Sequence, residues 1–447
     1  METLPDGKLV HQGWSPQCES GPAVSDGDWG ALKTTAIQDG TYLPEHNKRL
    51  PDSFEPKPRL EVLPGDVLLT CAGPRARCGV ACLVRATPRR RFISGKMYRF
   101  RANPELLDPR YLEAFLRTPE TKAQIDAMKT GISESGMNIT HERFAQLLVP
   151  LPPREEQRRI ADKLDTMLAR VDACRDRLAR VAPLLKRFRQ SVLADATSGR
   201  LTVDWRSEAG GRSLSAWQST SIGALSNVVR GASPRPAGDP RYFGGACPWI
   251  TVGELTKDER KFLDETRLFV TEAGKERSRY IAAGTLLLTN SGATLGVPKI
   301  TKIGGCINDG SVALLGVVEP LRSFLYWLLR GKTEALRALN QGAAQPNLNT
   351  SIVKAIVVHL PPTDEQAEIV RRVETLFAFA DRLEVRLAQA LTAVDRLTPS
   401  LLAKAFRGEL VPQDPTDEPA AELLKRLAAS RAAPAPKARR GRQAQTA

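Results

Sequence analysis

Few residues of this chain have the types and spacing that enzyme chemistry requires. The set nearest to a nuclease site, Pro51-Asp52 with Glu55 and Lys57, is too compact in sequence to come from adjacent strands. The four histidines, at positions 11, 46, 141 and 359, lack the spacing of metal ligands. The seven cysteines form no C-x-x-C pair, so we expect free thiols and no disulfide framework.

The motifs of methyl transfer and ATP hydrolysis are also missing from the sequence. Both Pro-Pro pairs lead into Arg154 and Thr363, so neither forms the Asp/Asn-Pro-Pro-aromatic motif of enzymes that methylate base amino groups. The glycine-rich stretch Gly292–Lys299 lacks the spacing of a phosphate-binding loop and predicts a hairpin instead. We therefore expect a protein without catalytic residues, metal or cofactor.

The charge of the chain favours a polyanionic partner. Its 447 residues include 65 Lys and Arg against 50 Asp and Glu, a net charge of +15 with pI near 9.7. Nucleic acid is the simplest such partner. Because no run of 18 apolar residues and no basic-then-apolar leader occurs, we expect no membrane association and a cytoplasmic location.

Two stretches of the chain are copies of each other. LPPREEQRRIADKLDTMLARVDACRDRLA begins at Leu151, and LPPTDEQAEIVRRVETLFAFADRLEVRLA begins at Leu360, at a constant offset of 209 residues. Apolar residues recur in steps of four and three in both copies, which predicts coiled-coil helices with one apolar seam. Since one such helix cannot bury its own seam, we expect the copies to pack antiparallel, unless each pairs with another protein. Pro183 and Pro399 should kink or end these helices.

The segments before the helices are duplicated more weakly. Gly13-Trp14-Ser15-Pro16 parallels Gly231-Ala232-Ser233-Pro234, and PGDVLLTCAG (from Pro64) parallels AGTLLLTNSG (from Ala283). A turn glycine followed by an apolar run predicts a buried strand, so we expect two α+β globular domains. A basic protein with two heads and helical spacers suits a duplex with two separated sites. The first globule lacks a counterpart of Leu214–Asn227, the opening strand of the second.

At this point the sequence resembles a known family. The pattern N-I-T…P-L-P-P-x-x-E-Q-x-x-I (Asn138 to Ile160), its copy from Asn347 to Ile369, and SLLAKAFRGELVPQDPTDEPAAELL (from Ser400) resemble conserved regions of type I restriction–modification specificity subunits. The G-x-S-P and G-D-V-L-L-T-type segments resemble the target recognition domains of that family.

The resemblance implies a DNA-reading subunit in a larger complex. Each recognition domain would read one half of a split target in double-stranded DNA. The helices would act as a ruler and as docking surface for two methyltransferase (modification) subunits, and restriction (translocase and nuclease) subunits could join. The methyl donor and ATP would bind those partners. The implied segments are recognition domain 1 (1–150), spacer helix 1 (151–200), recognition domain 2 (201–359), spacer helix 2 (360–412), and a conserved segment with a disordered basic tail (413–447).

Two groups of candidate site residues follow. Phosphate contacts would position the protein and a few side chains would read base edges, although any one of them could be an ordinary surface charge. Trp14 could equally be a core residue or a partner contact. The candidate DNA contacts are Trp14, Ser15, Lys33, Arg75, Arg77, Ser233, Arg235, Lys257, Asn290 and Thr294. The candidate partner contacts on the helices are Glu156, Gln157, Ile160, Glu365, Gln366 and Ile369.

Two other functions stay open on the sequence. The chain could be a helical scaffold whose heads bind proteins and not DNA. It could also be a specificity module for a separately encoded, fused-type restriction enzyme.

Overall fold

The computed structural model describes residues 10–25, 27–103, 105–208, 213–292, 294–338 and 348–432. The chain forms two compact units. Unit 1 comprises Met1–Arg177 and Ala390–Ala447, and unit 2 comprises Leu178–Gln389. Among the described residues, no helix is long and apolar enough to cross a membrane. The predicted basic tail beyond residue 432 lies outside the described residues, as do residues 1–9.

The strands of unit 1 are short and come mainly from the segment before the first long helix. They are β1 (His11–Gln12), β2 (Gly30–Leu32), β3 (Ile37–Gln38), β4 (Thr41–Tyr42), β5 (Asn47–Arg49), β6 (Asp66–Thr70), β7 (Ala72–Gly73), β8 (Ala81–Leu83), β9 (Arg91–Phe92), β10 (Met97–Arg101) and β11 (Met137–Asn138).

The strands of unit 2 precede the second long helix. They are β12 (Gln218–Ser221), β13 (Asn227–Arg230), β14 (Phe243–Ile250), β15 (Phe262–Leu263), β16 (Phe269–Val270), β17 (Arg279–Ile281), β18 (Leu286–Thr289), β19 (Pro298–Thr301), β20 (Gly305–Ile307), β21 (Ser311–Leu315) and β22 (Val357–Leu360).

The α-helices fall into short ones within the globules and long ones that follow the Pro-Pro pairs. They are α1 (Pro109–Leu116), α2 (Pro119–Met128), α3 (His141–Phe144), α4 (Arg154–Ala179), α5 (Val181–Ser198), α6 (Val203–Glu208), α7 (Ile222–Leu225), α8 (Val252–Thr256), α9 (Glu272–Glu276), α10 (Leu321–Ala338), α11 (Thr350–Lys354), α12 (Thr363–Phe406) and α13 (Ala420–Ala432).

The sheets of the two units share a common strand order, to which unit 2 adds β15 in the first sheet and β17 in the second. Unit 1 contains the order β1-β10-β6-β8, and unit 2 contains β13-β21-β18-β19-β15. The registers also correspond, since Met97 pairs with Thr70 in unit 1 and Ser311 pairs with Thr289 in unit 2. Each unit also has a second sheet, with the order β5-β2-β9 in unit 1 and β16-β14-β20-β17 in unit 2. The α+β fold and the internal duplication predicted from the sequence are therefore present.

The units differ at one edge. In unit 2, β22 pairs antiparallel with β12, the opening strand of that globule. The counterpart of β22 at the 209-residue offset is the stretch 148–151, which is assigned no strand and leaves Leu148 86% exposed. Residues 1–9, where a strand equivalent to β12 would lie, are outside the described residues, so the expected lack of an opening strand stays a prediction.

Within unit 2, the long helices pack antiparallel. Arg189 of α5 forms ion pairs with Asp381 and Glu384 of α12. Farther along the chain, Arg372 of α12 bonds Asp204 of α6, beyond the end of α5, at 2.6 Å. Residue numbers therefore fall along α12 as they rise from α5 to α6. The apolar seam between them joins the core of the globule, which includes Val192, Leu193, Ala196, Ile369, Val373 and the sheet residues Leu286 and Leu288.

Within unit 1, the same arrangement recurs with the other ends of the helices. Arg175 of α4 pairs with Asp395 of α12 at 3.4 Å, and Arg159 pairs with Asp417, beyond α12, at 2.6 Å. The end of α12 packs on the globule, where the ring of Phe406 lies 4.9 Å from that of Tyr111. The seam position Cys174 is exposed, whereas Ile160, Leu164 and Val171 are buried as the seam requires.

The two helix prolines have different effects. The first helix stops at Ala179 and resumes at Val181, so the break lies just before Pro183. Proline cannot donate to the carbonyl four residues earlier, here that of Ala179, and its ring clashes with it. In contrast, α12 continues through Pro399 to Phe406, so the expected early end does not occur there. Buried Leu401, Leu402 and Ala405 hold that last part of the helix in place.

The L-P-P-x-x-E-Q motif fixes the start of each long helix. The side-chain amide of Gln157 donates to the carbonyl of Pro152 at 3.0 Å, and that of Gln366 donates to Pro361 at 2.8 Å. The amide thus satisfies a carbonyl that lies just before the helix and takes no part in the hydrogen bonds within it. In unit 1 the same glutamine also accepts the backbone N–H of Asp108, which ties the helix to α1.

The neighbouring glutamate anchors the second helix to the chain that follows the first. Glu365 is 1% exposed and forms an ion pair with Arg206. Its carboxylate also accepts hydrogen bonds from Thr202 at 2.7 Å and from the indole of Trp217 at 3.0 Å. Because every donor comes from the chain that follows the first long helix, the carboxylate holds Thr202, Arg206 and Trp217 against α12.

We predict that Glu365→Ala destabilises unit 2 by about 3–5 kcal/mol, because it leaves a buried guanidinium without its counter-charge. Urea unfolding followed by circular dichroism measures the loss. Glu384→Ala is the matched control on the same helix. Glu384 is about half exposed, so removing its ion pair should cost about 0–1 kcal/mol. Equal losses in the two variants would contradict the anchoring role.

Candidate nucleic-acid interface

The glycines of the two G-x-S-P motifs allow a close backbone approach. A Cβ on Gly13 would overlap the carbonyl oxygens of Ile93 and Ser94, and a Cβ on Gly231 would overlap those of Ile307 and Asn308. These oxygens belong to equivalent turns, one after β9 and the other after β20. Any larger residue would push the motif segment away from the turn that it contacts.

The serines of the same motifs hold the facing turn. The hydroxyl of Ser15 accepts the backbone N–H of Gly95 at 2.9 Å, and that of Ser233 accepts the N–H of Asp309 at 3.3 Å. The structure thus gives these two candidate DNA contacts a backbone partner in their own unit. Their shared geometry makes the motif a fixed base for the turn, whose own residues differ between units.

A second duplicated feature is a hairpin loop that a threonine side chain closes by hydrogen bonds. In unit 1, Thr70 donates to the carbonyl of Arg77 and accepts the N–H of Val80 at 3.0 Å. In unit 2, Thr289 donates to the carbonyl of Thr294 and accepts the N–H of Val297 at 2.9 Å. The stretches 71–79 and 290–296 are therefore equivalent loops, as their sequence positions predicted.

The two arginines of the first loop are engaged within unit 1. Arg77 donates to the carbonyl of Ile37 at 2.7 Å and to the side chain of Gln38 at 2.9 Å, so its guanidinium braces the loop. Arg75 is 40% exposed and pairs with Glu134 at 2.8 Å and with Asp126 at 2.9 Å. The hydrogen bond to Glu134 raises the pKa of Arg75 further, so this exposed loop arginine is always charged.

The second loop carries a buried amide. Asn290 is 0% exposed, and neither its side-chain oxygen nor its side-chain nitrogen has a hydrogen-bond partner among the described residues. Its position corresponds to Cys71, since both carbonyls accept an N–H at 2.8 Å, from Leu348 and Ile139 respectively. Thr294 is half-buried, and its carbonyl helps to close the loop.

Trp14 is largely part of the core of unit 1. Its ring stacks on Phe92 at 5.9 Å and meets Phe54 edge-on at 5.9 Å. The ammonium of Lys57 lies 4.3 Å from the centre of the same ring. Of the three sequence interpretations, a DNA contact, a core residue or a partner contact, these contacts favour the core residue.

The remaining candidate DNA contacts are on the surface. Arg235 is 71% exposed and pairs with Asp309 at 3.5 Å. Lys257 is exposed and pairs with Glu254 at 3.0 Å, and Lys33 is exposed beside β2. Asp309 is a residue that the sequence reasoning missed. Comparison of the two copies could have found it, because Asp309 stands at the position equivalent to Gly95 of unit 1.

One basic residue of the second globule is removed from the surface by an ion pair. Lys299 is 1% exposed, and its ammonium bonds the carboxylate of Asp258 at 2.6 Å. Burial by itself would raise the pKa of Asp258, but hydrogen bonds from Lys299 and Arg260 outweigh it and lower the pKa to about 2. Lys299 therefore stabilises unit 2 and is not accessible to DNA.

The six candidate partner contacts on the helices lie inside their own units. Gln157 and Ile369 are 0% exposed, and none of the six exceeds 6%. Glu156, Ile160, Glu365 and Gln366 complete that set. Their burial means that the motif positions the helices, so a docking partner would contact other, exposed helix residues. No group of three His, Cys, Asp or Glu able to hold a metal occurs in the described ranges.

A family model described as the type I restriction modification DNA specificity domain matches residues 64–181 and 215–393. The two matches thus cover both hairpin loops and most of both long helices.

Two relatives match most of the chain. The chain is 35% identical over 349 residues to the type I restriction enzyme StySPI specificity subunit of Salmonella potsdam, covering 73% of each protein. It is 32% identical over 340 residues to the EcoKI specificity subunit of Escherichia coli K12, covering 70% of this chain and 71% of the relative.

Two solved structures share the fold. One is a chain from a study of complex assembly and conformational transition of the type I R-M system. It has a TM-score of 0.66 and 21% identity, and the match covers 86% of this chain and 92% of the other. The HsdS subunit from Thermoanaerobacter tengcongensis has a TM-score of 0.58 and 21% identity, with 86% and 91% covered.

We predict that Asn290→Cys, which installs the residue of the equivalent position, raises the free energy of unfolding by about 1–3 kcal/mol, because it removes two buried unpaired polar atoms. The reciprocal variant, Cys71→Asn, should lose a similar amount in unit 1. Urea titrations of both variants and the parent measure the change. A loss of stability in Asn290→Cys would mean that the amide is satisfied by a group we have not identified.

We also predict an acid dependence from Asp258. A carboxyl whose pKa is lowered on folding stabilises the folded state above its ordinary pKa of 3.8, and that contribution is lost as the pH falls towards 2. Asp258→Asn should therefore be less stable than the parent at pH 7, and the difference should shrink between pH 4 and pH 2. Thermal unfolding of both proteins across this range tests it, and a constant difference would contradict the assignment.

Proposed function

Because the chain belongs to the type I restriction–modification specificity subunits, we propose that it confers DNA sequence choice on a methyltransferase and endonuclease complex. Each recognition domain reads one half of a bipartite target in double-stranded DNA. We assign the first domain to residues 1–150 and the second to residues 201–359.

One observation carries this proposal: the same backbone platform is built twice with different side chains on it. The same hydrogen bonds recur in both units in three places. These are the G-x-S-P segment, the turn that it holds and the threonine-closed hairpin. The side chains that these loops present differ, with Arg75 at one and Thr294 at the other. Divergent groups on a common platform are what independent reading of two half-sites requires.

We further propose which residues meet DNA. Exposed Lys33, Arg75, Arg235 and Lys257 fit phosphate or base contacts, and the net charge of +15 supports an electrostatic share in affinity. Arg75 and Arg235 each reach solvent while a carboxylate orients the guanidinium. A planar guanidinium held in this way can bond a guanine edge in a bidentate manner.

The long helices are proposed to dock two methyltransferase subunits, one per unit. Each unit has a cleft along its helices, of 850 Å³ in unit 1 and 610 Å³ in unit 2. The linings correspond at the 209-residue offset: Leu168 and Asp172 of α4 in the first match Phe377 and Asp381 of α12 in the second. Repeated clefts suit two copies of one partner, and restriction subunits would join that complex.

We infer that the chain itself is not catalytic and acts in the cytoplasm, where its DNA target lies. The methyl donor and ATP would bind the partner subunits. The scaffold that binds no DNA is less favoured, because the relatives are specificity subunits and the divergent residues lie on the loops.

Methylome sequencing of a host with and without the gene tests the proposal. One split motif should disappear on deletion. Exchanging residues 1–137 for those of a relative should change one half of the motif, and exchanging residues 201–359 should change only the other half. A change in both halves from either exchange would refute independent reading.

A further inference from the structure

Two free thiols face each other in unit 2. The sulfur of Cys247 lies 3.8 Å from the sulfur of Cys306, and neither residue is in a disulfide. Cys247 belongs to β14 and Cys306 to the neighbouring parallel strand β20, where Cys306 pairs with Trp249. The sulfurs would have to approach each other by roughly 1.8 Å to reach the disulfide bonding distance of about 2.05 Å.

The internal duplication shows that this pair is specific to unit 2. The backbone N–H of Trp14 donates to the carbonyl of Ile93, and the N–H of Ala232 donates to that of Ile307, so Ile93 and Ile307 are equivalent. The residues that precede these two, Phe92 and Cys306, are therefore equivalent as well. The paired strands then place Trp29 at the position of Cys247. In unit 1 these two positions hold the aromatic rings of Trp29 and Phe92, whose centroids lie 6.3 Å apart. The fold therefore requires apolar side chains in contact at this site, but it does not require cysteines.

The two thiols differ in access. Cys306 is 0% exposed, and burial raises its pKa to about 12. Cys247 is half-buried and therefore within reach of a small oxidant. The charged Lys275 partly opposes the effect of burial on the pKa of Cys306.

We propose that Cys247 and Cys306 form a reversible redox pair that closes to a disulfide with a low-molecular-weight disulfide such as oxidised glutathione. The Cys247 thiolate attacks one glutathione sulfur and releases the first glutathione thiolate. Cys306, on giving up its proton, attacks the sulfur of Cys247 and releases the second. The protein dithiol is oxidised, one glutathione disulfide is reduced to two thiols, and the two protons pass to the leaving thiolates.

The bond would act next to the candidate reading turn. β20 ends at Ile307, and the following residues Asn308 and Asp309 form the turn held by Ser233. β14 is irregular at this point, since its pairing with β16 shifts register between Phe243 and Cys247. A cross-link would therefore fix an irregular strand to the strand that supports the turn. The pair itself does not depend on the proposed function.

The test uses the full chain with Cys174→Ser, which removes an exposed thiol that could link two molecules. After incubation with oxidised glutathione, we expect an intact mass lower by two hydrogens and a peptide cross-link between Cys247 and Cys306, both reversed by dithiothreitol. Peptides with the buried Cys71, Cys78 and Cys82 should stay reduced and serve as an internal control.

Two variants separate the steps. Cys306→Ser should accumulate a glutathione adduct on Cys247, because the resolving thiol is missing. Cys247→Ser should leave Cys306 unmodified. A glutathione adduct on Cys247 that persists in the parent without any cross-link would overturn the proposal, as would complete resistance of both thiols.

Thermal unfolding gives an independent readout. The cross-link closes a loop between residues 59 positions apart, so the oxidised parent should unfold at a higher temperature than the reduced parent. Cys306→Ser should show no such rise under the same treatment. A lower melting temperature on cross-linking would show that the bond strains unit 2 and that the pair is not a native redox device.

Discussion

The rest of the structure depends on an apolar seam that neither long helix can bury alone. Each unit covers its part of the seam by pairing antiparallel segments of both helices, with ion pairs such as Arg175–Asp395 and Arg189–Asp381 at the margins. Gln157 then ties the start of the first helix to Asp108, and Glu365 ties the start of the second to Thr202. Burial of these motif residues explains why they recur in both copies.

The duplication preserves backbone geometry and lets side chains change. Gly13 and Gly231, Ser15 and Ser233, and Thr70 and Thr289 make equivalent contacts in both units. At the positions between them the copies diverge. Cys71 of unit 1 corresponds to Asn290 of unit 2, Gly95 to Asp309, and Phe92 to Cys306. These contacts need only a backbone partner, so the positions around them were free to acquire new chemistry.

Much of the fold followed from periodicity and repetition. The 3.5-residue period predicted the helices and their pairing, and the paired glycine-strand segments predicted equivalent hairpins. The helix break before Pro183 was also expected, whereas α12 continues through Pro399, because buried Leu401 and Leu402 hold it. Local propensity could not predict that outcome, since it depends on tertiary packing.

The sequence by itself determined the duplication, the α+β class, the long helices and the charge that favours DNA, because spacing and composition are properties of the chain alone. The tertiary structure decided which polar groups remain exposed. Arg77, Lys299 and Glu365 are indistinguishable in sequence from surface charges, yet each is bound to a partner 40, 41 and 159 residues away, respectively. Only folding brings such partners together, so only the fold separates a structural charge from one that can meet DNA.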